Sequence, residues 1–101
     1  MSAYVVLVRE RTTDAAALQR YRDRAPLARE AHPSQPIAFY EEHETLEGDD
    51  VEGVAILRFP SMAAARAWYA SPEYQAALPH RQDGSVSRVI LVAGSDEPPT
   101  A

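Results

Sequence analysis

A chain of 101 residues with 15 acidic and 10 basic side chains carries a formal charge of -5 and contains no Cys. That length holds one domain, and a chain of this size buries roughly 60–70% of its unfolded surface, enough for one core without cross-links. The missing Cys excludes disulfides and thiol chemistry, and a pI near 5.1 argues against nucleic acid, whose phosphates call for a basic surplus on one face.

Ala3–Arg9 is rich in β-branched residues and reads as a strand. Tyr4, Val6 and Val8 fall on one face, Val5 and Leu7 on the other. Apolar on both faces, it is expected at the centre of a sheet. Thr12, Thr13 and Asp14 offer cap oxygens for a helix running to about Ala31. Leu18, Tyr21, Ala25 and Ala28 form its apolar stripe, with Gln19, Arg20, Arg22, Asp23 and Arg24 opposite. Pro26 predicts a kink or a restart. His32 to Pro36 is a loop by its prolines.

Ile37–His43 is the next strand, placing Glu41 and His43 on one face; its charged distal half suits a sheet edge. Leu46–Asp50 is turn chemistry. Gly53–Phe59 is a second two-sided strand. Ser61 caps a helix to about Ala70, with Met62, Ala65, Trp68 and Tyr69 as its buried stripe. Ser71-Pro72-Glu73 starts another helix, which buries Tyr74, Ala77 and Leu78 until Pro79 ends or bends it. Gln82–Ser85 reads as a turn and Val86–Ala93 as the last strand. The end of the chain, Gly94–Ala101, is polar and expected to fray, leaving residues 1–95 as the domain and 96–101 as a flexible tail.

The order β-α-β-β-α-β, with the second helix broken in two, is that of an α+β ferredoxin-like unit. The expected architecture is a four-stranded antiparallel sheet with the first and third strands central and helices on one face. The other face carries Ile56, Ile90 and Val92. An uncovered apolar sheet face calls for a partner, and a second copy placed sheet to sheet is the economical one.

Phe59 through Gln75 (FPSMAAARAWYASPEYQ) resembles the signature of domain-of-unknown-function family 1330 (DUF1330), in the dimeric α/β-barrel superfamily. Arg81, Ser87–Val92, the opening Ala3-Tyr4-Val5 and Leu46-Glu47-Gly48-Asp49 also match, so the resemblance spans residues 3–94. It implies a ferredoxin-like protomer and a homodimer, and it assigns no reaction. One departure stands out. Family members often carry an Arg-Gly-Gly-like element in the second strand, where this chain reads Phe39-Tyr40-Glu41. The resemblance therefore implies no anion contact from that Arg in this chain, and the replaced glycines imply a different local strand shape or cavity.

The apolar runs Ala3–Val8 and Val89–Ala93 fall well short of the about 20 residues of a membrane span. No basic segment followed by an apolar stretch and cleavage site opens the chain. A cytoplasmic protein without a membrane partner is expected. Four glycines, none in a phosphate-loop spacing, exclude nucleotide binding by those devices.

Glu41 and His43 are a carboxylate and an imidazole on one expected strand face, half of a metal site or acid–base pair. With no third ligand at a recognisable spacing, the plainer reading is a surface polar pair, and no metal or cofactor is expected. His32 reads as solvated and His80 as a helix-end residue. Arg58 and Arg88 interrupt apolar strands, where a charge needs a partner. They either pair with Glu42, Glu52 or Asp83, the plainer reading, or hold an anionic ligand.

The superfamily resemblance implies a pocket between helices and sheet lined by aromatics. Tyr40 and Arg88 are the expected orienting groups there, and Trp68 and Tyr74 the apolar wall. The expected function is binding of a small organic molecule in that cleft. The alternatives are a dimerisation module with a filled core, or a cofactor-independent monooxygenase or isomerase. An apolar cleft of several hundred cubic ångströms with two or more converging polar groups separates the first from the filled core.

Overall fold

The computed structural model describes residues 1–95, so the expected tail lies outside the described residues. In chain order the elements are β1 (Ala3–Thr12), α1 (Ala15–Ala31), β2 (Gln35–Phe39), β3 (Gly53–Phe59), α2 (Met62–Ala70), α3 (Pro72–Gly84) and β4 (Ser85–Ala93). The strands form one antiparallel sheet in the order β2-β3-β1-β4. The two strands with apolar side chains on both faces, β1 and β3, therefore occupy the centre, as their sequences require.

Parity along β1 divides the molecule. Ala3, Val5 and Leu7 are buried under the helices together with Ala55, Leu57 and Phe59 of β3. Against them pack Leu18, Tyr21, Ala25 and Ala28 of α1, Ala65 and Trp68 of α2, and Tyr74 and Ala77 of α3. Val6 pairs with Ile56 on one side and Ile90 on the other, so these three share the opposite face.

The helix ends are set by capping. The Asp14 carboxylate accepts from the N–H groups of Ala16 and Ala17 at 3.0 and 3.2 Å. Ser61 Oγ accepts from Ala64 N–H at 3.0 Å. Ser71 serves two helices, donating to the Trp68 carbonyl at 2.7 Å and accepting from Tyr74 N–H at 3.1 Å.

Several boundaries differ from the sequence reading. Both internal prolines are carried within continuous helices. Each removes one backbone bond, but buried residues on both sides, Tyr21 and Ala28 around Pro26, Tyr74 and Arg81 around Pro79, anchor the axis. Gln82–Ser85 is no turn, because α3 continues to Gly84. There the chain passes so close to α1 that a methyl on Gly84 would lie 2.5 Å from Leu18 N. The Gly84 carbonyl accepts from both Thr13 N–H and Asp14 N–H, at 2.8 and 3.2 Å. Tyr69 is 40% exposed rather than part of the buried stripe. Gly94 is tied rather than frayed, its N–H bonding the Ser2 carbonyl at 2.8 Å.

The largest difference is at β2, which ends at Phe39 instead of His43. Its edge position tolerates Pro36, whose missing N–H breaks no interior ladder. Glu41 and His43 thus share no strand face. His43 Nε2 instead meets the Val51 carbonyl at 2.8 Å across the loop, and no three His, Cys, Asp or Glu side chains among the described residues are placed to hold a metal ion.

Trp68 is 2% exposed and lies between Phe59 and Tyr74, ring centroids 5.4 and 4.3 Å away. Trp68→Ala should therefore lose about 3–5 kcal/mol of stability, the range for emptying a large buried site. Urea unfolding measures it, and a loss under about 1 kcal/mol would mean that the ring merely lines a groove.

Candidate ligand-binding site

The helix–sheet layer is graded from apolar to polar along β1 and β4. On β4, Val89 and Leu91 pack against the core, while at the other end Ser85 and Ser87 face the helices. On β1, Arg9 continues the buried series of Val5 and Leu7 and pairs with Ser87. At this polar end the layer is left unfilled, and a cavity of about 220 Å³ opens between α1, α3 and the sheet.

Four arginines line it: Arg9 of β1, Arg22 and Arg29 of α1 and Arg81 of α3, with no Asp or Glu among the lining residues. In a chain of formal charge -5, four of ten basic residues, all of them Arg, thus face one cleft. Leu18, Arg22, Ala25 and Arg29 step along α1 by four, three and four, so they share one helix face. Arg22, read from the sequence as solvent-facing, is exposed and also borders the cleft.

Arg9 has a counter-charge at the rim, its Nε lying 3.4 Å from Glu52 Oε1. The Thr12 hydroxyl donates to the same oxygen at 2.7 Å, and that bond above all holds the Glu52 carboxyl below its usual range. Among the described residues no carboxylate pairs with Arg22, Arg29 or Arg81. Arg81 is the demanding case, being 8% exposed with a buried Nε that has no hydrogen-bond partner. Its place in the last turn of α3 lets the helix dipole offset part of the charge, but a half-charge leaves the donor unsatisfied. Ser85 donates to the Arg81 carbonyl at 2.8 Å, so in the 2.6 Å contact between Ser85 and Ser87 Ser87 is the donor.

Tyr40 closes the cleft at the end of β2. Its φ of 55° is the single positive value outside glycine among the described residues, a conformation that L side chains adopt at a cost. The ring is packed on three sides. Phe39 meets it edge-on at 5.0 Å, the Arg9 guanidinium sits 4.9 Å over its face, and Gly53 leaves the slot it fills. A methyl on Gly53 would come within 2.8 Å of Tyr40 Cδ1 and 3.2 Å of Arg9 Nη2. Arg29 stacks likewise over Phe39, at 5.5 Å. Guanidiniums held by their faces keep their N–H edges available for a carboxylate. Burial pushes the Tyr40 phenol up, opposed first by Arg9 and more weakly by Arg81 and Arg22. Behind it the hydroxyls of Tyr21 and Tyr74 meet at 3.0 Å, and burial, then Tyr74, pushes the Tyr21 phenol up.

The four residues expected to form one site are dispersed. Tyr40 lines the arginine cleft. Tyr74, fully buried, stands behind its wall through Tyr21. Trp68 faces a separate apolar groove of about 410 Å³ with Ala65, Val89 and Leu91. Arg88, opposite Val8, is on the other face of the sheet, because its parity on β4 is that of Ile90 and Val92. Arg58 is bonded through Nε to Ser2 Oγ at 2.9 Å, and Glu52, one of its expected partners, pairs with Arg9. The sequence reading missed Arg9, Arg22, Arg29 and Arg81. Their signals were the parity of Arg9 with Leu7 and the spacing of Arg22 and Arg29 from Leu18.

The family described as Domain of unknown function (DUF1330) matches residues 2–95. The chain belongs to the DUF1330 family. Among curated proteins none matches it. Its fold is shared with a protein of unknown function from Rhodopseudomonas palustris, RPA0582, at 21% identity over 92% of this chain and 82% of that one, with a TM-score of 0.75. It is also shared with SnoaB, a cofactor-independent oxygenase from Streptomyces nogalater, at 16% identity, 97% and 96% coverage and a TM-score of 0.61. A third is a dabb-family protein with a ferredoxin-like fold from Mesorhizobium loti, at 14% identity, 93% and 98% coverage and a TM-score of 0.62. At these identities the likeness establishes the ferredoxin-like fold of this DUF1330 member.

The slot at Gly53 yields a direct test of the site's construction. Gly53→Ala should cost about 1–3 kcal/mol by overpacking against Tyr40 and Arg9. Denaturant unfolding reads the loss, and a change within about 0.5 kcal/mol, typical of an unconstrained surface position, would show that the ring is not held there.

Proposed function

We propose that this DUF1330 protein binds a small organic acid in the arginine cleft. The carboxylate is held by guanidinium edges, and the apolar body rests on Leu18, Ala25 and Phe39. The observation that carries this reading is Arg81, a buried cation with an unsatisfied donor on a wall without carboxylates. An uncompensated buried charge costs several kcal/mol unless an anion reaches it, and Arg geometry suits a carboxylate in two-pronged contact. The cavity is smaller than the roughly 300–1,000 Å³ of sites for drug-sized ligands, so the ligand is small. A cleft with converging polar groups also favours ligand binding over a dimerisation module with a filled core.

The second element of the proposal is a homodimer through the open sheet face. Its support is the apolar character of that face, where Ile90 and Val92 are 43% and 47% exposed around Val6 and Ile56. Arg58 opposite Tyr4 and Arg88 opposite Val8 stand at diagonal corners, giving an apolar centre with a polar rim. A two-fold axis through Val6 matches such a face to itself.

Each element has its measurement. Arg81→Met removes the buried charge and keeps the volume, so the ligand-free protein should melt at the same temperature or higher. Benzoate should raise the melting temperature of the unaltered protein, and the variant should bind benzoate roughly 10- to 100-fold more weakly by calorimetry. Unchanged benzoate affinity would remove Arg81 from the site. Ile56→Asp sets a charge at the centre of the sheet face and should halve the mass seen by light scattering, and an unchanged dimer mass would place the interface elsewhere.

A further inference from the structure

Tyr40 is built with more care than a wall of the cleft requires. The chain accepts a left-handed backbone at a bulky residue, and Gly53 is bare where any side chain would displace the ring. Arg9 and Phe39 hold two further sides. All of this fixes a phenol whose hydroxyl, among the described residues, makes no hydrogen bond, whereas those of Tyr21 and Tyr74 are satisfied by each other. The oxygen stands within the electrostatic reach of Arg9, Arg81 and Arg22, all of which line the cleft. A donor positioned rigidly at such expense, and left unpaired beside an anion site, is matched to an acceptor on the ligand.

We infer that Tyr40 is the specificity residue of the cleft, and that its phenol hydrogen-bonds a second oxygen on the organic acid whose carboxylate the arginines hold. This rests on the cleft reading above and narrows it. The ligand class becomes a hydroxy- or oxo-substituted carboxylic acid, one end of which meets guanidinium and the other phenol. The flat faces of Phe39 and Tyr40 and the planes of Arg9 and Arg29 favour a planar body, such as an aromatic ring or an enol. Discrimination follows from the unsatisfied donor. An acid without the second oxygen buries the Tyr40 hydroxyl unpaired, and sites built this way reject the lacking analogue.

The test compares benzoate with the three isomeric hydroxybenzoates by calorimetry on the full chain and on Tyr40→Phe. The variant keeps the ring in its slot and loses a group bonded to nothing in the protein, so its melting temperature should match that of the parent. On the parent, at least one hydroxybenzoate should bind about 3- to 10-fold more tightly than benzoate, the equivalent of one hydrogen bond. On Tyr40→Phe the preference should vanish, because the isomer loses its bond and benzoate no longer buries an unpaired hydroxyl. Benzoate binding with no preference among the four acids would overturn the inference and leave the cleft reading standing, as would a preference that survives in Tyr40→Phe. Failure of all four acids to bind would overturn both.

Discussion

Leu7 and Arg9 share a face of β1 because side chains along a strand alternate, and on that parity the rest of the molecule depends. It sends Ala3, Val5 and Leu7 under the helices and leaves Tyr4, Val6 and Val8 on the open face. It also carries Arg9 into the helix–sheet layer as the next member of the buried series. A slip of one residue would exchange the two faces and expose the core. Pairing with two central-facing neighbours, β3 and β4, prevents it.

The same rule on β4 aligns Ser85 and Ser87 with Val89 and Leu91. Two strands therefore present apolar side chains at one end of the layer and polar ones at the other. At the apolar end Phe59, Trp68 and Tyr74 fill the space with aromatic rings in contact. At the polar end the arginines repel one another and seek hydration, so no close-packed interior forms between them. The cleft is the place where one layer changes from hydrophobic packing to charge.

That end of the molecule holds several unfavourable features together, while at the apolar end Trp68 Nε1 is buried without a hydrogen-bond partner. A buried guanidinium lacks a counter-charge, a tyrosine takes a backbone conformation suited to glycine, and a strand stops short at Phe39. Each is destabilising by itself. They meet at one cavity, lined by Arg9, Tyr40 and Arg81. The acidic loop after Tyr40 contributes Glu52, which tethers Arg9 at the rim rather than filling the cleft.

The amino-acid sequence by itself determined the α+β element order, the central strands and the helix starts within Thr12–Asp14 and at Ser61 and Ser71. These follow from alternation, capping and apolar periodicity, all of them local. The extent of β2, the continuity of α1 and α3 through Pro26 and Pro79, and the gathering of Arg9, Arg22, Arg29 and Arg81 were decided by tertiary structure. Anchoring by buried side chains outweighed the lost proline bonds, and the left-handed turn at Tyr40 ended a strand that charge patterning would have continued. Four arginines from β1, α1 and α3 become neighbours through the packing of helices on a sheet. That proximity is a property of the folded chain which no spacing along the sequence encodes directly.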